Sequence, residues 1–350
     1  MTDLVGARAT AARLTAQRLA GPPATSADDV VTRLLAVQAQ DPRGFRLAVR
    51  SRSTGLTAAD VDAALTERRS LVVGWLQRGT LHLVRADDYW WLHPLTTPQL
   101  HTSNQRRLRQ EGVDEVHAAH GVQVVLDAVA HGPRTREELR ARLDDAGVPT
   151  ARQALVHVLL AASLHGDLVR GPVVDGQQAF VSAAQWLGPP PPPIARSQAL
   201  ARLAVRYLEG HGPASATDLA KWAGITLGAA REGLTAAGDV IEPVAGEGPE
   251  LVDLRDREAA APLPPPRLLG PFDPVLHGWA DRTPLVGAHQ GVVTSNGLFR
   301  ACALAGGRVV ATWRLAAGAL TIDPLEPLAD DVTDALEADG TAVLRFLGLP

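Results

Sequence analysis

An internal repeat constrains the fold of this 350-residue chain more than any other feature of its sequence. The segment His131–Leu139 (HGPRTREEL) recurs as His211–Leu219 (HGPASATDL), and each copy follows an apolar pattern with helical spacing. Thr135 in one copy and Ser215 in the other stand where a helix N-cap is expected, with an acidic residue shortly after. Each copy therefore predicts two consecutive helices.

Each copy continues with a further predicted helix and two short strands. The helices are expected at 150–165 and 226–237, and a glycine ends each of them. The strands are expected at 167–170 with 179–182, and at 240–243 with 250–254. Three helices followed by a hairpin are the order of a winged helix-turn-helix, so the repeat predicts two such units.

Proline runs divide the chain into four segments. Pro189–Pro193 is uninterrupted, and Pro262 with Pro264–Pro266 forms a second cluster. Such runs are stiff and extended and do not lie inside a helix. The predicted domains are 1–115, 116–188, 194–261 and 267–350.

The first segment fits the winged-helix plan more loosely, with helices expected at 4–19, 28–38 and 57–68 and strands at 71–76 and 80–84. The last segment is predicted to be mostly β. Its strands are expected at 299–304 and 308–315, around the turn Ala305-Gly306-Gly307, with a helix near 328–338 and a final strand at 341–346. The predicted fold class is α+β: three tandem winged helix-turn-helix units plus a C-terminal β-rich segment.

Charge is distributed unevenly along the chain. Residues 1–110 contain 15 Lys and Arg against 9 Asp and Glu, whereas residues 111–350 contain 19 against 29. A basic first third beside an acidic remainder indicates a localised face that binds anions. Every cation except Lys221 is an arginine, which suits bidentate contacts to phosphates and bases. A charged surface that is merely solvated gives the same counts, so charge alone assigns no partner.

Several classes of protein are disfavoured. Cys302 is the one cysteine, which rules out an internal disulfide and a thiolate zinc cluster. The sequence has neither a long apolar stretch nor the pattern of a signal peptide, so we expect no membrane association and a cytoplasmic protein. Phosphate-loop, nucleophile-elbow and zinc-protease motifs are absent.

Gln38-Ala39-Gln40 is the remaining candidate for chemistry. The two glutamines are predicted to close an apolar helix at Val30–Val37, with Pro42 stopping that helix. Taken alone, a Gln-x-Gln pattern is a weak signal, and the polar end of a helix explains it equally well. Its position favours a function, because it lies in the basic third directly before a run of four arginines, Arg43, Arg46, Arg50 and Arg52.

Four separated stretches form a more specific set when they are taken together. They are Ala36–Pro42 (AVQAQDP), Arg78–Leu83 (RGTLHL), Leu268–Pro274 (LLGPFDP) with Asp281-Arg282, and Gly307–Arg314 (GRVVATWR). In this order they resemble the AlkZ/YcaQ-type DNA glycosylases, whose members carry tandem winged helices. That family's catalytic motif is Gln-x-Gln or Gln-x-Asp near the N-terminus, and here it falls on Gln38 and Gln40. The Gln-x-Gln form is associated with self-resistance enzymes that excise bulky DNA-alkylating natural products, and the Gln-x-Asp form with broader crosslink repair.

The resemblance implies a monofunctional DNA glycosylase, and the chemistry of glutamine is compatible with one kind of lesion. A glutamine amide is no base near neutral pH, but it accepts a hydrogen bond from water. Guanine alkylated at N7 is cationic and leaves without prior protonation, through a transition state close to an oxocarbenium ion. Two aligned carbonyl dipoles can hold a water near C1′ and stabilise that cation. Gln38 and Gln40 are therefore predicted to position the nucleophilic water, with no metal and no cofactor.

The predicted partner is double-stranded DNA containing alkylated guanine, bound by a monomer with an affinity that falls steeply with salt. The predicted DNA contacts are Arg43, Arg46, Arg50, Arg78, His82, Arg106 and Arg107. Two other functions stay open at this point: a winged-helix transcriptional regulator without catalytic activity, and a structural protein that uses winged helices as packing modules. A regulator discriminates sequence, whereas a glycosylase discriminates damage.

Overall fold

The computed structural model describes residues 2–244, 250–294 and 296–350. Helices and strands are mixed throughout, which confirms the predicted α+β class. The described residues form two compact units. The larger contains those up to Val61 and those from Ala195 onward, and the smaller is Asp62–Ile194. The division into four segments, 1–115, 116–188, 194–261 and 267–350, stays a prediction. The assignment of winged helices to the first three segments also stays a prediction.

The larger unit begins with helices and one short strand. These are α1 (Thr2–Ala16), α2 (Ala27–Leu34), β1 (Val37–Gln38), α3 (Pro42–Arg50) and α4 (Ala58–Thr66), the last of which ends in the smaller unit. Ser26 caps α2 by accepting a hydrogen bond from the Asp29 amide at 3.1 Å. α2 therefore begins within one residue of the start of the helix predicted at 28–38.

The predicted helix at 28–38 is wrong at its C-terminal end. α2 ends at Leu34 because Leu35 adopts a φ of 63°, outside the helical region, and the chain then extends into β1. Pro42 begins a helix rather than stopping one, since the first helical position needs no amide hydrogen. Asp41 caps that helix by accepting from the Gly44 amide at 2.8 Å. The pair Asp41-Pro42 is the sequence signal that predicts α3. The interpretation of Pro42 as the stop of the preceding helix did not use this signal.

The smaller unit consists of helices around one antiparallel sheet. Its elements are β2 (Leu71–Trp75), β3 (Leu81–Arg85), α5 (Ala86–Thr96), α6 (Leu100–Gln110), α7 (Glu115–Ala130), α8 (Arg136–Asp145), α9 (Ala154–Leu164), β4 (Leu168–Val174), β5 (Gln177–Ser182) and α10 (Ala183–Leu187). These strands are ordered β3-β2-β4-β5, and the apolar helix α9 packs on β2 and β4. Thr135 forms a capping box with Glu138 at the start of α8, which confirms that cap.

The larger unit resumes with three helices, a hairpin and a second sheet. Its elements are α11 (Arg196–His211), α12 (Ala216–Ala223), α13 (Leu227–Ala236), β6 (Ile241–Pro243), β7 (Val252–Leu254), β8 (Arg267–Leu269), α14 (Thr283–Val286), β9 (Cys302–Ala305), β10 (Arg308–Ala316), β11 (Ala319–Pro324) and α15 (Asp330–Phe346). Ser215 forms the predicted cap of α12, again as a capping box. The sheet is antiparallel in the order β11-β10-β9-β8.

The predicted final strand at 341–346 is wrong, because α15 continues to Phe346. Thr341-Ala342-Val343 has the β-branched character of a strand, and Gly340 suggests a break before it. In the structure Gly340 instead permits close packing of the helix, since a Cβ there would lie 3.4 Å from the Leu320 side chain. The buried residues of α15 recur at helical spacing: Leu336, Gly340, Val343 and Phe346.

A buried ion pair joins the two ends of the larger unit. The Arg52 guanidinium donates to both carboxylate oxygens of Asp273, at 2.8 and 2.9 Å, and both side chains are 0% exposed. Arg52 also donates to the side-chain oxygen and the carbonyl of Gln17, each at 2.8 Å, and Gln17 in turn donates to the carbonyl of Gly210 in α11. The network therefore fixes the end of α1, the chain after α3 and the segment around Asp273 against one another.

Breaking this pair is expected to destabilise the larger unit strongly. Arg52→Ala leaves the Asp273 carboxylate buried without its counter-ion, at a cost of about 3–5 kcal/mol in the free energy of unfolding. Chemical denaturation measures this difference. The control is Arg314→Ala, which removes the exposed Arg314–Asp323 pair of the same unit and should cost about 0–1 kcal/mol. Equal costs for the two variants would contradict the structural role of the buried pair.

Candidate active site and nucleic-acid interface

Gln38 and Gln40 lie in a short non-helical segment between α2 and α3. Gln38 is the last residue of β1 and is 8% exposed, whereas Gln40 is exposed at the bend before the N-cap Asp41. Residues two apart in a helix point to nearly opposite sides, but extended backbone allows them a common direction. The observed backbone therefore suits a pair of glutamines that act together better than the predicted helix would.

The turn that creates this segment is strained and held by burial. A positive φ is uncommon outside glycine, and Leu35 adopts one with its side chain 0% exposed. Its neighbours Leu34 and Val37 are also fully buried. Strained backbone of this kind is often found at functional sites, where the surrounding packing maintains it.

Helix α3, which follows the glutamines in sequence, is held in place at its N-terminal end. A Cβ at Gly44 would lie 2.4 Å from the carbonyl oxygen of Pro271, and a Cβ at Gly270 would lie 2.8 Å from the Leu47 side chain. Only glycine permits so close an approach between the first turn of α3 and the segment at 270–271. Gly270 and Pro271 belong to the stretch Leu268–Pro274 that carries part of the family resemblance, so that stretch has a packing role.

Two predicted DNA contacts, Arg43 and Arg46, lie on the first turns of α3. Arg43 is exposed and makes no hydrogen bond or ion pair with the described residues. It borders a pocket of about 180 Å³ with Pro271, Trp313 and Arg314. The Arg46 guanidinium lies over the Phe45 ring at 4.7 Å and donates to the carbonyl of Pro42. Sequence reasoning did not select Arg314, although it lies in one of the resembling stretches.

Arg50 is engaged by the fold. Its guanidinium donates to both carboxylate oxygens of Asp339, at 2.8 and 2.5 Å, and also to backbone carbonyls. The side chain is 11% exposed. A guanidinium held in this way has few donors left for a phosphate, so the geometry argues against Arg50 as a primary DNA contact.

Arg78 and His82 flank a tight turn in the smaller unit. Arg78 has a φ of 56°, and burial lowers its pKa to about 10, which leaves it cationic near neutral pH. His82 lies in β3 and is 2% exposed. Burial, followed by the Arg78 charge, lowers the pKa of His82 to about 3, against the effect of its hydrogen bond to Thr80. His82 is therefore neutral at pH 7 and supplies no charge for a phosphate.

The orientation of the His82 ring follows from that hydrogen bond. Nδ1 lies 3.0 Å from the carbonyl oxygen of Thr80, which can only accept, so Nδ1 carries the proton. Nε2 is then an acceptor in the neutral ring. His82 is better suited to fixing the turn than to binding DNA.

Arg106 and Arg107 both lie on the exposed face of α6. Arg106 has no hydrogen bond or ion pair with the part of the chain that the structure describes. Arg107 pairs with Glu111 at 2.8 Å and is 46% exposed. Of the two, Arg106 is the freer cation.

Two further features are absent from residues 2–244, 250–294 and 296–350. No three His, Cys, Asp or Glu side chains there lie close enough to bind one metal ion. Within those ranges no helix combines the length and apolar character needed to cross a membrane.

Comparisons with known proteins define the class. The model of the AlkZ-like DNA glycosylase family matches residues 31–346, so the chain belongs to that family and is a DNA glycosylase. A curated relative from Streptomyces sahachiroi, an interstrand DNA cross-link repair glycosylase, is 29% identical over 349 residues, covering 93% of this chain and 91% of the relative. The solved structure of the S. sahachiroi DNA glycosylase AlkZ superposes with a TM-score of 0.79 at 25% identity, covering 98% of this chain and 96% of that one. Family membership selects the enzyme among the three functions that the sequence left open.

The buried imidazole of His82 is expected to make stability depend on pH. Its pKa is about 3 in the folded chain and near 6.5 in the unfolded chain, so the unfolded state binds the proton first. The free energy of unfolding should therefore fall as the pH drops from 6.5 towards 3. His82→Gln should reduce the slope of the free energy of unfolding against pH by up to the contribution of one proton. Urea unfolding at a series of pH values measures this slope.

His120→Gln serves as the control for this variant, because it makes the same replacement at an exposed histidine of the same unit. His211, whose pKa burial also lowers to about 3, contributes its own part of the slope in every variant. A His82→Gln protein with the wild-type slope would show that His82 is not held neutral.

Proposed function

We propose that this glycosylase hydrolyses the N-glycosidic bond of cationic N7-alkylguanine in double-stranded DNA, with bulky natural-product adducts and crosslinks among its substrates. Gln38 and Gln40 position the attacking water, and the products are the free base and an abasic site. The proposal rests above all on one observation: in a chain of this family, the Gln-x-Gln segment lies in non-helical backbone that a buried turn and α3 hold from both sides.

Glutamine suits this substrate because the leaving group is already activated. A neutral purine needs protonation before it departs, and an amide donates no proton to it. A cationic guanine departs without that help, so the enzyme needs only to orient a water and stabilise the developing oxocarbenium ion. Preorganised dipoles do both, since they do not have to reorient during the reaction.

The charges around the motif fit the same chemistry. From Ala36 to Asp41 the chain carries one charge, the Asp41 carboxylate, and the arginines begin at Arg43. Phosphates are therefore attracted to the start of α3 while the segment that faces the sugar cation stays free of positive charge. We assign phosphate contacts to Arg43 and Arg46 here, and to Arg78, Arg106 and Arg107 in the smaller unit.

The size and source of the lesion are proposed from the relatives. The S. sahachiroi relative is named for repair of interstrand DNA crosslinks, and the Gln-x-Gln form of this motif resembles that of self-resistance enzymes. A monomer that carries three winged helices of its own, acting in the cytoplasm on the nucleoid, is the simplest assembly for such a role.

Replacing either glutamine should abolish most of the excision. We expect Gln38→Ala and Gln40→Ala to lower the single-turnover rate about a hundredfold, the effect of removing one preorganised polar group from a transition state. The substrates are duplexes with one N7-methylguanine or one bulky N7-alkylguanine, and abasic sites are read as strand breaks after amine treatment. The ratio of the two rates tests the preference for bulky lesions.

Gln123→Ala, an exposed glutamine on α7, is the matched control and should keep the wild-type rate. Duplexes with a crosslink form a separate arm. Excision that is unchanged in both motif variants would eliminate the proposed role of the glutamines. A protein that cuts neutral purines as fast as cationic ones would eliminate the proposed substrate.

Exposed arginines without partners should carry the binding to DNA. Arg43→Ala and Arg106→Ala are each expected to reduce the slope of log K against log salt by about 0.9 and to weaken binding equally for all sequences. Fluorescence anisotropy on undamaged duplex DNA measures both quantities. Arg231→Ala, an exposed arginine on α13, is the control, and a slope that neither Arg43 nor Arg106 changes would contradict their assignment.

A further inference from the structure

A polar pocket lies at the opposite end of α3 from the glutamines. Its volume is about 480 Å³, within the range of small-ligand sites. The chain after α3 forms one wall, and β8 and the last turns of α15 form the other. Its polar and charged lining includes Arg50, Thr54, Arg267, Asp339 and Arg345.

Among the described residues that line this pocket, three arginines face a single carboxylate, that of Asp339. Asp339 is already engaged: it accepts both hydrogen bonds from Arg50 and a third from the backbone amide of Leu268 at 2.7 Å. Two guanidiniums, those of Arg267 and Arg345, therefore remain as surplus positive charge.

The two surplus arginines have complementary positions. Arg267 is half-buried and donates one hydrogen bond, to the carbonyl of Ser51 at 2.5 Å, which covers the C-terminal end of α3. Burial lowers its pKa, and the neighbouring charges of Arg50 and Arg52 lower it further against the effect of Asp339. Arg345 is exposed and makes no hydrogen bond or ion pair with the described residues.

We propose that this pocket binds a phosphate group through Arg267 and Arg345, with the hydroxyl of Thr54 as a further donor. Guanidinium forks match the geometry of phosphate oxygens, and the described lining contains no carboxylate besides Asp339 that would repel an anion. An anion here compensates two charges that the fold leaves without a counter-ion.

Two kinds of ligand carry a phosphate group that fits this pocket: the backbone of DNA and a free phosphate ester. Helix α3 has nine residues and spans about 14 Å, so the pocket and the glutamines lie at the two ends of one rigid element. A DNA strand that runs along α3 from a lesion at the glutamines would bring a phosphate some base pairs away to the pocket, since B-DNA rises about 3.4 Å per pair. In this case the inference rests on the proposed function.

The first arm of the test uses inorganic phosphate and pyrophosphate with the full chain at constant ionic strength. Calorimetry should show saturable binding that Arg345→Ala weakens about tenfold, the effect of one charge-assisted contact, and that Arg345→Glu abolishes. Arg231→Ala should bind like the wild type. Melting temperatures confirm that the exposed substitutions leave the fold intact.

The second arm distinguishes the sources on undamaged duplex DNA. If the pocket holds a backbone phosphate, Arg345→Ala reduces the salt slope by about one and phosphate competes with DNA. If it holds a free phosphate ester, Arg345→Ala weakens phosphate binding while the DNA slope is unchanged. Wild-type behaviour of both Arg345 variants in both arms would overturn the proposal. No arm requires excision, so this outcome is separate from a failure of the proposed catalytic role.

Discussion

The ion pair of Arg52 and Asp273 is the interaction on which the geometry of the larger unit depends. Two charges at 0% exposure are tolerated only when each is fully satisfied, and here the guanidinium reaches Asp273 and Gln17 in one arrangement. A small shift of either segment would leave a buried charge without its partner. The pair therefore fixes the chain that follows α3 against a segment more than two hundred residues away, and it does so where apolar packing alone would permit sliding.

The position of the segment that contains Gln38 and Gln40 follows from that constraint. Asp273 belongs to the same stretch as Gly270 and Pro271, which approach α3 so closely that Gly44 and Gly270 have no room for side chains. α3 is thus held at its first turn by this approach and beyond its last turn by Arg52, with Arg50 bound to Asp339 between them. Gln38 and Gln40 directly precede this helix, so the contacts that hold α3 also restrict the backbone of the two glutamines. A site that acts through positioned dipoles requires such a rigid backbone.

Features that depend on residues close in sequence were predicted correctly. Features that depend on burial and on contacts with distant residues were not. Thr135 and Ser215 form the predicted capping boxes because a cap depends on residues three apart. The end of α2 was misplaced because Leu35 leaves the helix for reasons of burial, and no local pattern records that strain. The strand predicted at 341–346 failed for a similar reason, since contact with Leu320 turns Gly340 from a break into a packing site. At the site, the resemblance selected Gln38 and Gln40, but nothing in the sequence indicates that Arg50 binds Asp339 rather than solvent.

The distribution of charge along α3 resolves a conflict inherent in the proposed reaction. Binding of anionic DNA requires arginines. The same positive charges destabilise a transition state in which a cationic base departs and an oxocarbenium ion forms on the sugar. Coulomb energies fall with distance, so the two demands are met when the cations lie one or more helical turns from the reacting carbon. The segment from Ala36 to Asp41 carries only the Asp41 carboxylate, and Arg43 and Arg46 follow it. A carboxylate in place of a glutamine would add negative charge at the sugar and extend the chemistry to poorer leaving groups. In the proposed reaction, neutral amides would confine excision to bases that alkylation has already made cationic.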